Sequence, residues 1–74
     1  MIELYTADWC PSCRTIKPLL EGLEVVEINV DKETEKAISL GIRNIPVLRF
    51  LKDGVETGRI VGITSRDKIE EQLK

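Results

Sequence analysis

The sequence predicts an α/β fold with the element order β-α-β-α-β-β-α, in which a four-stranded mixed sheet is flanked by three helices. Short β-branched runs alternate with segments of helical spacing, a pattern typical of βαβ units with parallel strands. Asp53-Gly54 then separates the last two apolar runs, as in an antiparallel hairpin. Because 74 residues contain no linker, repeat or low-complexity segment, residues 1–74 are expected to form one domain.

The first half of the chain predicts a single βαβ unit. Residues 2–6 alternate in the manner of a short strand. Residues 12–21 place apolar side chains at helical spacing, and Pro18 is expected to kink this helix because it lacks an N–H. Gly22 then ends the helix, and the β-branched residues 24–30 predict the second strand.

The second predicted helix follows directly. Asp31 is expected to be its N-cap, and Gly41 is expected to end it. The predicted buried residues of this helix are Ala37, Ile38 and Leu40.

The hairpin and the last helix complete the predicted fold. Residues 47–51 and 55–61 are the two predicted strands of the hairpin. Thr64 or Ser65 is expected to cap a final helix. This helix is expected to bury Ile69 and Leu73.

Composition excludes several classes of partner. A net charge of −2 without any basic run argues against nucleic acid and anionic membranes. No stretch reaches the roughly 18 apolar residues needed to span a bilayer. The N-terminal residues lack the features of a signal peptide, so a cytoplasmic location is expected.

Both cysteines lie in Trp9-Cys10-Pro11-Ser12-Cys13, between the first strand and the first helix. Pro11 suits the first turn of a helix, since its missing N–H would have been unpaired there. Cys10 would then lie at the helix N-terminus, where free N–H groups and the helix dipole favour a thiolate. Cys13 follows one turn later, close enough to form a disulfide with Cys10. The motif therefore predicts a nucleophilic thiolate with a resolving thiol beside it.

Two structural roles for the cysteine pair are less favoured. A stapling disulfide across so short a loop would remove little entropy from the unfolded chain. A zinc site would require a second copy of the chain, because two cysteines without any histidine cannot supply four thiolate or imidazole ligands. We therefore expect no metal.

A cytosolic Cys-x-x-Cys beside a βαβ pattern is typical of thioredoxin-like redox motifs, and the sequence resembles the thioredoxin–glutaredoxin superfamily along its whole length. The resemblance implies the thioredoxin fold in its minimal βαβαββα form. It is carried by Ala7-Asp8-Trp9-Cys10 with Cys13-Arg14, Ile16 and Pro18, by Gly41-Ile42-Arg43-Asn44-Ile45-Pro46, and by Phe50, Lys52, Gly54 and Val61-Gly62.

The resemblance also implies roles for individual residues. Cys10 would be the nucleophile and Cys13 the resolving cysteine, with their redox-active disulfide in place of any cofactor. Pro46 would follow a cis peptide bond and fix the loop from which Ile45 offers backbone groups to substrate. The other implied substrate contacts are an apolar rim at Trp9 and Pro11 and the open space beside Gly62.

The sequence departs from thioredoxins around the resolving cysteine. Leu4 stands where they carry a buried aspartate, and Glu27 stands where they carry the accompanying lysine. Glu27 is therefore our candidate proton acceptor for Cys13. A solvated strand glutamate is an equally good interpretation of that residue.

The remaining features divide between thioredoxin and glutaredoxin. The chain lacks the strand and helix that precede the first strand in ordinary thioredoxins, which gives it the length of a glutaredoxin. However, Ile63-Thr64-Ser65 follows Gly62 in place of the second glycine and acidic residue that hold glutathione. We give the residues more weight than the length.

The expected function is reduction of protein disulfides by a small thioredoxin, with electrons supplied by a thioredoxin-reductase-type flavoenzyme. The alternatives are a glutathione-linked oxidoreductase and a thioredoxin-fold binding subunit. The presence of both cysteines argues against a pure binding subunit. A monomer is expected.

Overall fold

The computed structural model describes residues 1–74 and confirms the predicted order of strands and helices. A short 3-10 helix over Lys17–Leu20 follows the first helix. The strands are β1 (Ile2–Thr6), β2 (Val25–Asn29), β3 (Val47–Lys52) and β4 (Val55–Val61), and the helices are α1 (Pro11–Ile16), α2 (Thr34–Ser39) and α3 (Arg66–Gln72). None of these helices is long and apolar enough to cross a membrane.

The four strands form one mixed sheet in the order β2-β1-β3-β4. β1 pairs in parallel with β2 and antiparallel with β3, and β3 and β4 form the predicted hairpin. In the β1–β2 register, Leu4 faces Glu27 and Thr6 faces Asn29. Because side chains alternate along a strand, these four residues lie on the same face of the sheet.

Each face of the sheet buries its own apolar cluster. The cluster beneath α1 and α3 consists of Ile2, Leu4, Ile16, Leu20, Leu48, Phe50 and Ile69. The cluster on the α2 face consists of Tyr5, Ile28, Ala37, Ile42 and Val47. β1 contributes to both clusters and is buried along its whole length.

The turn between β3 and β4 has the geometry expected from its sequence. Asp53 and Gly54 both have positive φ, 53° and 80°. Two successive positive φ values are required by the turns that match the twist of a tight hairpin, and an Asp-Gly pair adopts them readily.

The predicted helix over residues 12–21 is correct in place but not in form. The α-helical part ends at Ile16, and the chain continues as the 3-10 helix Lys17–Leu20. Pro18 lies near the start of the 3-10 helix, and its missing N–H is what prevents a continuous α-helix there. The second strand is also shorter than the predicted residues 24–30.

Three predictions about the other helices are wrong. Asp31 does not cap α2, which begins at Thr34 without a side-chain cap because the intervening residues form a turn. Ile38 is 70% exposed, since it points away from the sheet while Ala37 packs on it. Leu73 is 43% exposed, because it lies at the C-cap of α3, beyond the buried Ile69. Ser65 does cap α3, accepting from the Lys68 N–H.

A charged network extends across the α2 face of the sheet. Glu3 is nearly buried and accepts hydrogen bonds from the Tyr5 hydroxyl at 2.8 Å and from Arg49 at 2.9 Å. Arg49 also donates to Glu56 at 2.7 Å, and Arg59 donates to both carboxylate oxygens of Glu56. Every buried charge in the network therefore has an opposite partner, as stability requires.

Candidate active site

The two cysteines meet at the N-terminus of α1. Cys10 is the N-cap residue in an extended conformation, and its sulfur accepts a hydrogen bond from the Cys13 N–H at 3.3 Å. The Cys13 thiol donates to the Cys10 Sγ at 2.6 Å. Both residues are free cysteines and both are buried.

The loop between β1 and α1 is tied to the segment after β2. Trp9 Nε1 donates to the Asp31 carboxylate at 2.9 Å, and the Asn29 amide donates to Asp8 at 3.4 Å. The Asp31 N–H in turn bonds the Asn29 side chain. The bond to Asp31 holds the Trp9 ring, which is nevertheless 66% exposed. Asp31 therefore orients Trp9 instead of capping α2.

A second loop approaches the cysteines from the start of β3. The Ile45–Pro46 peptide bond is cis, as the sequence resemblance predicts. Ile45 packs against the cluster of Ala7, Cys10 and Cys13. The Gly62 N–H donates to the Pro46 carbonyl at 2.8 Å, so the end of β4 lies against this loop. The Pro46 side chain is fully buried, which leaves Ile45 as the more accessible member of the pair.

Exposed apolar residues lie on the segments that surround the cysteine pair. Pro11 is exposed at the first position of α1. Val61 and Ile63, which flank Gly62, are 56% and 68% exposed. The sequence analysis missed Val61 and Ile63 as site residues. The available signal was a β-branched residue on each side of a glycine that ends an amphipathic strand.

A polar pocket of about 420 Å³ opens behind Cys13, between α1 and the β1–β2 edge of the sheet. Its walls carry two acidic and two basic side chains. The pocket is lined by Thr6, Ala7, Asp8, Cys13, Arg14, Lys17, Glu27 and Asn29.

Glu27 is part of this pocket, although it is not buried. Its side chain is 53% exposed and pairs with Lys17 at 3.0 Å. It lies on the α1 face of the sheet, opposite Leu4 in the β1–β2 register. Glu27 thus shares the pocket with Cys13 and is paired with Lys17. The sequence did not indicate Lys17 as its partner.

The environment of Cys13 acts in two directions on its thiol. Burial raises the pKa of Cys13, and the hydrogen bond to Cys10 raises it further. The Thr6 hydroxyl and the Ala7 backbone lower the same pKa by favouring the thiolate. Cys13 is therefore held as a thiol donor to Cys10, with polar groups behind it that can accommodate negative charge.

This arrangement supports two-electron exchange between thiols and disulfides. Two sulfurs at hydrogen-bond distance need little movement to form a disulfide, and an exposed apolar rim around them suits an extended peptide. No group of three or more His, Cys, Asp or Glu side chains converges in the structure in a way that could hold a metal ion.

Comparisons with known proteins agree with this geometry. A family model described as Thioredoxin matches residues 1–74. The chain is 33% identical over 72 residues to a thioredoxin of Chlamydia caviae, covering 88% of this chain and 71% of that protein. It is 35% identical over 75 residues to a thioredoxin of Bacillus subtilis, covering 90% and 72%.

Solved structures give the same result for the fold. A point mutant of a thioredoxin from Halobacterium salinarum superposes with a TM-score of 0.86 at 28% identity, covering 95% of this chain and 67% of that one. A thioredoxin of Fasciola hepatica superposes with a TM-score of 0.84 at 29% identity, covering 97% and 75%. These superpositions confirm the predicted thioredoxin fold, here with four strands and three helices.

Proposed function

Because the chain belongs to the thioredoxin family, we propose that it reduces disulfide bonds of other proteins through a Cys10/Cys13 dithiol–disulfide cycle. The observation that carries this proposal is the pair of free thiols at the N-terminus of α1, with their sulfurs 2.6 Å apart. The curated relatives, named thioredoxin, support a thiol–disulfide oxidoreductase. The glutathione-linked alternative is not favoured.

In the proposed cycle the Cys10 thiolate attacks one sulfur of a substrate disulfide. A mixed disulfide forms, and the other substrate sulfur leaves as a thiol after taking a proton. Cys13 then loses its proton and attacks the Cys10 sulfur, which releases the second substrate thiol. Two electrons have passed to the substrate, and Cys10 and Cys13 remain as a disulfide. The second step is intramolecular, so the proximity of the two sulfurs accelerates it.

Substrate would bind across the surface formed by the three segments around Cys10. Trp9 and Pro11 supply apolar contacts on one side, and the Ile45–Pro46 loop supplies backbone hydrogen-bonding groups on the other. Gly62 leaves room for the substrate chain between them. The exposure of Trp9 and the contact of Ile45 with the cysteine cluster support this assignment.

Glu27 remains the candidate proton acceptor for Cys13. Its position on the wall of the pocket behind Cys13 supports this role. Its salt bridge with Lys17 keeps the carboxylate close to the pocket and restricts the movement of the side chain. If Glu27 accepts the proton, Glu27→Gln slows resolution of the mixed disulfide; an unchanged rate across the pH range means that Glu27 is only a solvated strand residue.

The proposed partners follow from the family. Disulfide-containing proteins would be the substrates, and a thioredoxin-reductase-type flavoenzyme would return electrons to the Cys10–Cys13 disulfide. We further propose that residues 1–74 act as a single domain and as a monomer, without a cofactor other than this disulfide. A cytoplasmic compartment would keep the pair reduced.

Insulin reduction tests the proposal, because reduced insulin chains precipitate and scatter light. With dithiothreitol as the reductant, the wild-type chain is expected to accelerate precipitation well above the uncatalysed rate. Cys10→Ser is expected to abolish the acceleration, since no mixed disulfide can form. Cys13→Ser, reduced beforehand and then freed of dithiothreitol, is expected to accumulate that mixed disulfide with insulin, which mass spectrometry detects as an adduct on Cys10.

Replacing the reductant separates the two electron donors. A thioredoxin reductase with NADPH is expected to support turnover, whereas glutathione with glutathione reductase is not. Turnover with glutathione alone would favour the glutaredoxin-like alternative. An active Cys10→Ser, Cys13→Ser double variant would refute the dithiol cycle altogether.

A further inference from the structure

Thr6 is the polar residue of β1 that lies behind the resolving cysteine. Leu4 and Thr6 are on the same face of β1, two residues apart, and Leu4 packs with Ile16 in the cluster beneath α1. Cys13 precedes Ile16 by three residues and shares its buried side of α1. The chain reverses direction between β1 and α1, so Cys13 lies over Thr6 as Ile16 lies over Leu4.

The choice of residue at this position is informative. The other residues of β1 on this face, Ile2 and Leu4, are apolar and completely covered. Thr6 is also buried, with 8% exposure, yet it carries a hydroxyl. Thr6 lines the polar pocket together with Cys13, and its hydroxyl lowers the pKa of Cys13 by favouring the thiolate. A hydroxyl in the pocket of a buried thiol donates a hydrogen bond to the sulfur most favourably once the thiol becomes charged.

We propose that Thr6 is a positioning residue of the resolving step, whose hydroxyl donates a hydrogen bond to the Cys13 thiolate. This inference rests on the proposed dithiol cycle and deepens it. Before resolution, the Cys13 thiol donates to the Cys10 sulfur. Once Cys10 is held in a mixed disulfide, Cys13 must release its proton through the pocket before it can attack. The Thr6 hydroxyl then stabilises the negative sulfur from within the pocket.

The electron balance of that step is simple. The Cys13 sulfur forms a bond to the Cys10 sulfur, and the bond between Cys10 and the substrate sulfur breaks. The electron pair of the broken bond leaves with the substrate sulfur, which becomes a thiol by taking a proton. Thr6 neither gains nor loses a proton, and it lowers the barrier only by stabilising the attacking thiolate.

Other groups around Cys13 also influence its titration and must be controlled. Cys10 lies on one side of it. The charged side chains that share its pocket, from the β1–α1 loop, α1, the 3-10 helix and β2, are Asp8, Arg14, Lys17 and Glu27. All four are retained in the Thr6 variants, so a change in the pH profile of the resolving step is caused by loss of the hydroxyl.

Stopped-flow reduction of DTNB, an aromatic disulfide, resolves the two steps. With protein in excess, the first coloured thiol appears at a rate that depends on protein concentration, and the second at a rate that does not. In Thr6→Val we expect the first phase to be unchanged and the midpoint of the second to lie about one pH unit higher. The second phase should be about threefold slower at neutral pH, because the roughly tenfold smaller thiolate fraction is partly offset by the higher nucleophilicity of the more basic thiolate. Thr6→Ser is expected to restore the wild-type profile because it keeps the hydroxyl.

Thr15→Val is the matched control, since Thr15 is an exposed threonine of α1 whose hydroxyl faces the Pro11 carbonyl. It is expected to leave both phases unchanged. Thr6→Ala repeats the test in case Val disturbs the packing, and both variants are checked for native circular dichroism. An unchanged second phase in Thr6→Val and Thr6→Ala overturns the inference. So does a slowing that is equal at all pH values and is not rescued by Ser, which indicates a packing role.

Failure of the proposed function has a different signature. A wild-type chain that releases only one coloured thiol per DTNB has no resolving step at all. The inference about Thr6 fails alone when wild type shows both phases and the Thr6 variants match it.

Discussion

Removing the charge of Glu56 tests how much the network on the α2 face contributes to stability. Glu56 accepts hydrogen bonds from Arg59 and Arg49, and these hold its pKa at about 2, well below the ordinary 4.5. At about 1.4 kcal/mol per pKa unit, this lowering sets an upper limit of about 3 kcal/mol on the contribution of Glu56 to the free energy of unfolding. The Glu56 side chain is 28% exposed, and solvent screening reduces the expected contribution to about 1–2 kcal/mol.

The pH dependence of this contribution has a definite sign. The pKa of Glu56 is lower in the folded chain than in the unfolded chain, so its stabilisation is complete above the unfolded value. It is lost as the pH falls from about 4.5 towards about 2. Glu3 contributes in the same direction: burial raises its pKa, but hydrogen bonds from Arg49 and Tyr5 and the charge of Lys36 lower it more. The pKa of Tyr5, raised to about 12 by burial and by Glu3, keeps that side chain neutral throughout.

Urea denaturation of Glu56→Gln and wild type across pH 2–7 measures the effect. We expect Glu56→Gln to be less stable by about 1–2 kcal/mol at pH 7, or about 4–16 °C in melting temperature. The difference should disappear near pH 2, where wild-type Glu56 becomes protonated. Glu70→Gln is the control, because Glu70 pairs with Arg66 on the surface of α3 and is 55% exposed. A Glu56→Gln effect that is independent of pH, or no larger than that of Glu70→Gln, refutes the reasoning.

Three further substitutions test the core, a buried hydroxyl and the active-site loop. Ile69→Ala should lower the free energy of unfolding by about 2–4 kcal/mol, because Ile69 is fully buried, whereas Ile38→Ala at an exposed position should change it by less than about 0.5 kcal/mol. Thr64→Val should raise it by about 1 kcal/mol in urea denaturation, since the Thr64 hydroxyl is buried without a partner. Asp31→Asn should weaken the hydrogen bond that orients Trp9, changing the fluorescence of this sole tryptophan and slowing insulin reduction several-fold while the melting temperature changes little.

Each of these has a contrary result. Equal losses in Ile69→Ala and Ile38→Ala would contradict the assignment of the core. A destabilised Thr64→Val would show that the hydroxyl has a partner after all. An Asp31→Asn variant with wild-type fluorescence and activity would mean that the Trp9 ring is oriented by packing alone.

The sequence by itself determined the order of the elements and the identity of the redox pair. The alternating and helical periodicities involve residues that are close together in sequence, so they can be recognised without the tertiary structure. The same holds for the Cys-x-x-Cys motif at the start of the helix that begins at Pro11. The hairpin was equally local, since Asp53-Gly54 accepts the positive φ values that its turn requires. The cis bond before Pro46 came from family resemblance, because local sequence alone favours trans.

Only the tertiary structure decided what surrounds the cysteines. Asp31 could cap a helix or bind an indole, and it binds Trp9 because the β1–α1 loop comes to lie beside the end of β2. Nothing in the sequence distinguishes Thr6 from other strand residues. Its place beneath Cys13 follows from the reversal of the chain between β1 and α1. Glu27 acquired Lys17 as a partner from a 3-10 helix that Pro18 forces into a tighter path. Such contacts join residues of different strands, helices and loops, so the folding of the chain sets them and local preference does not.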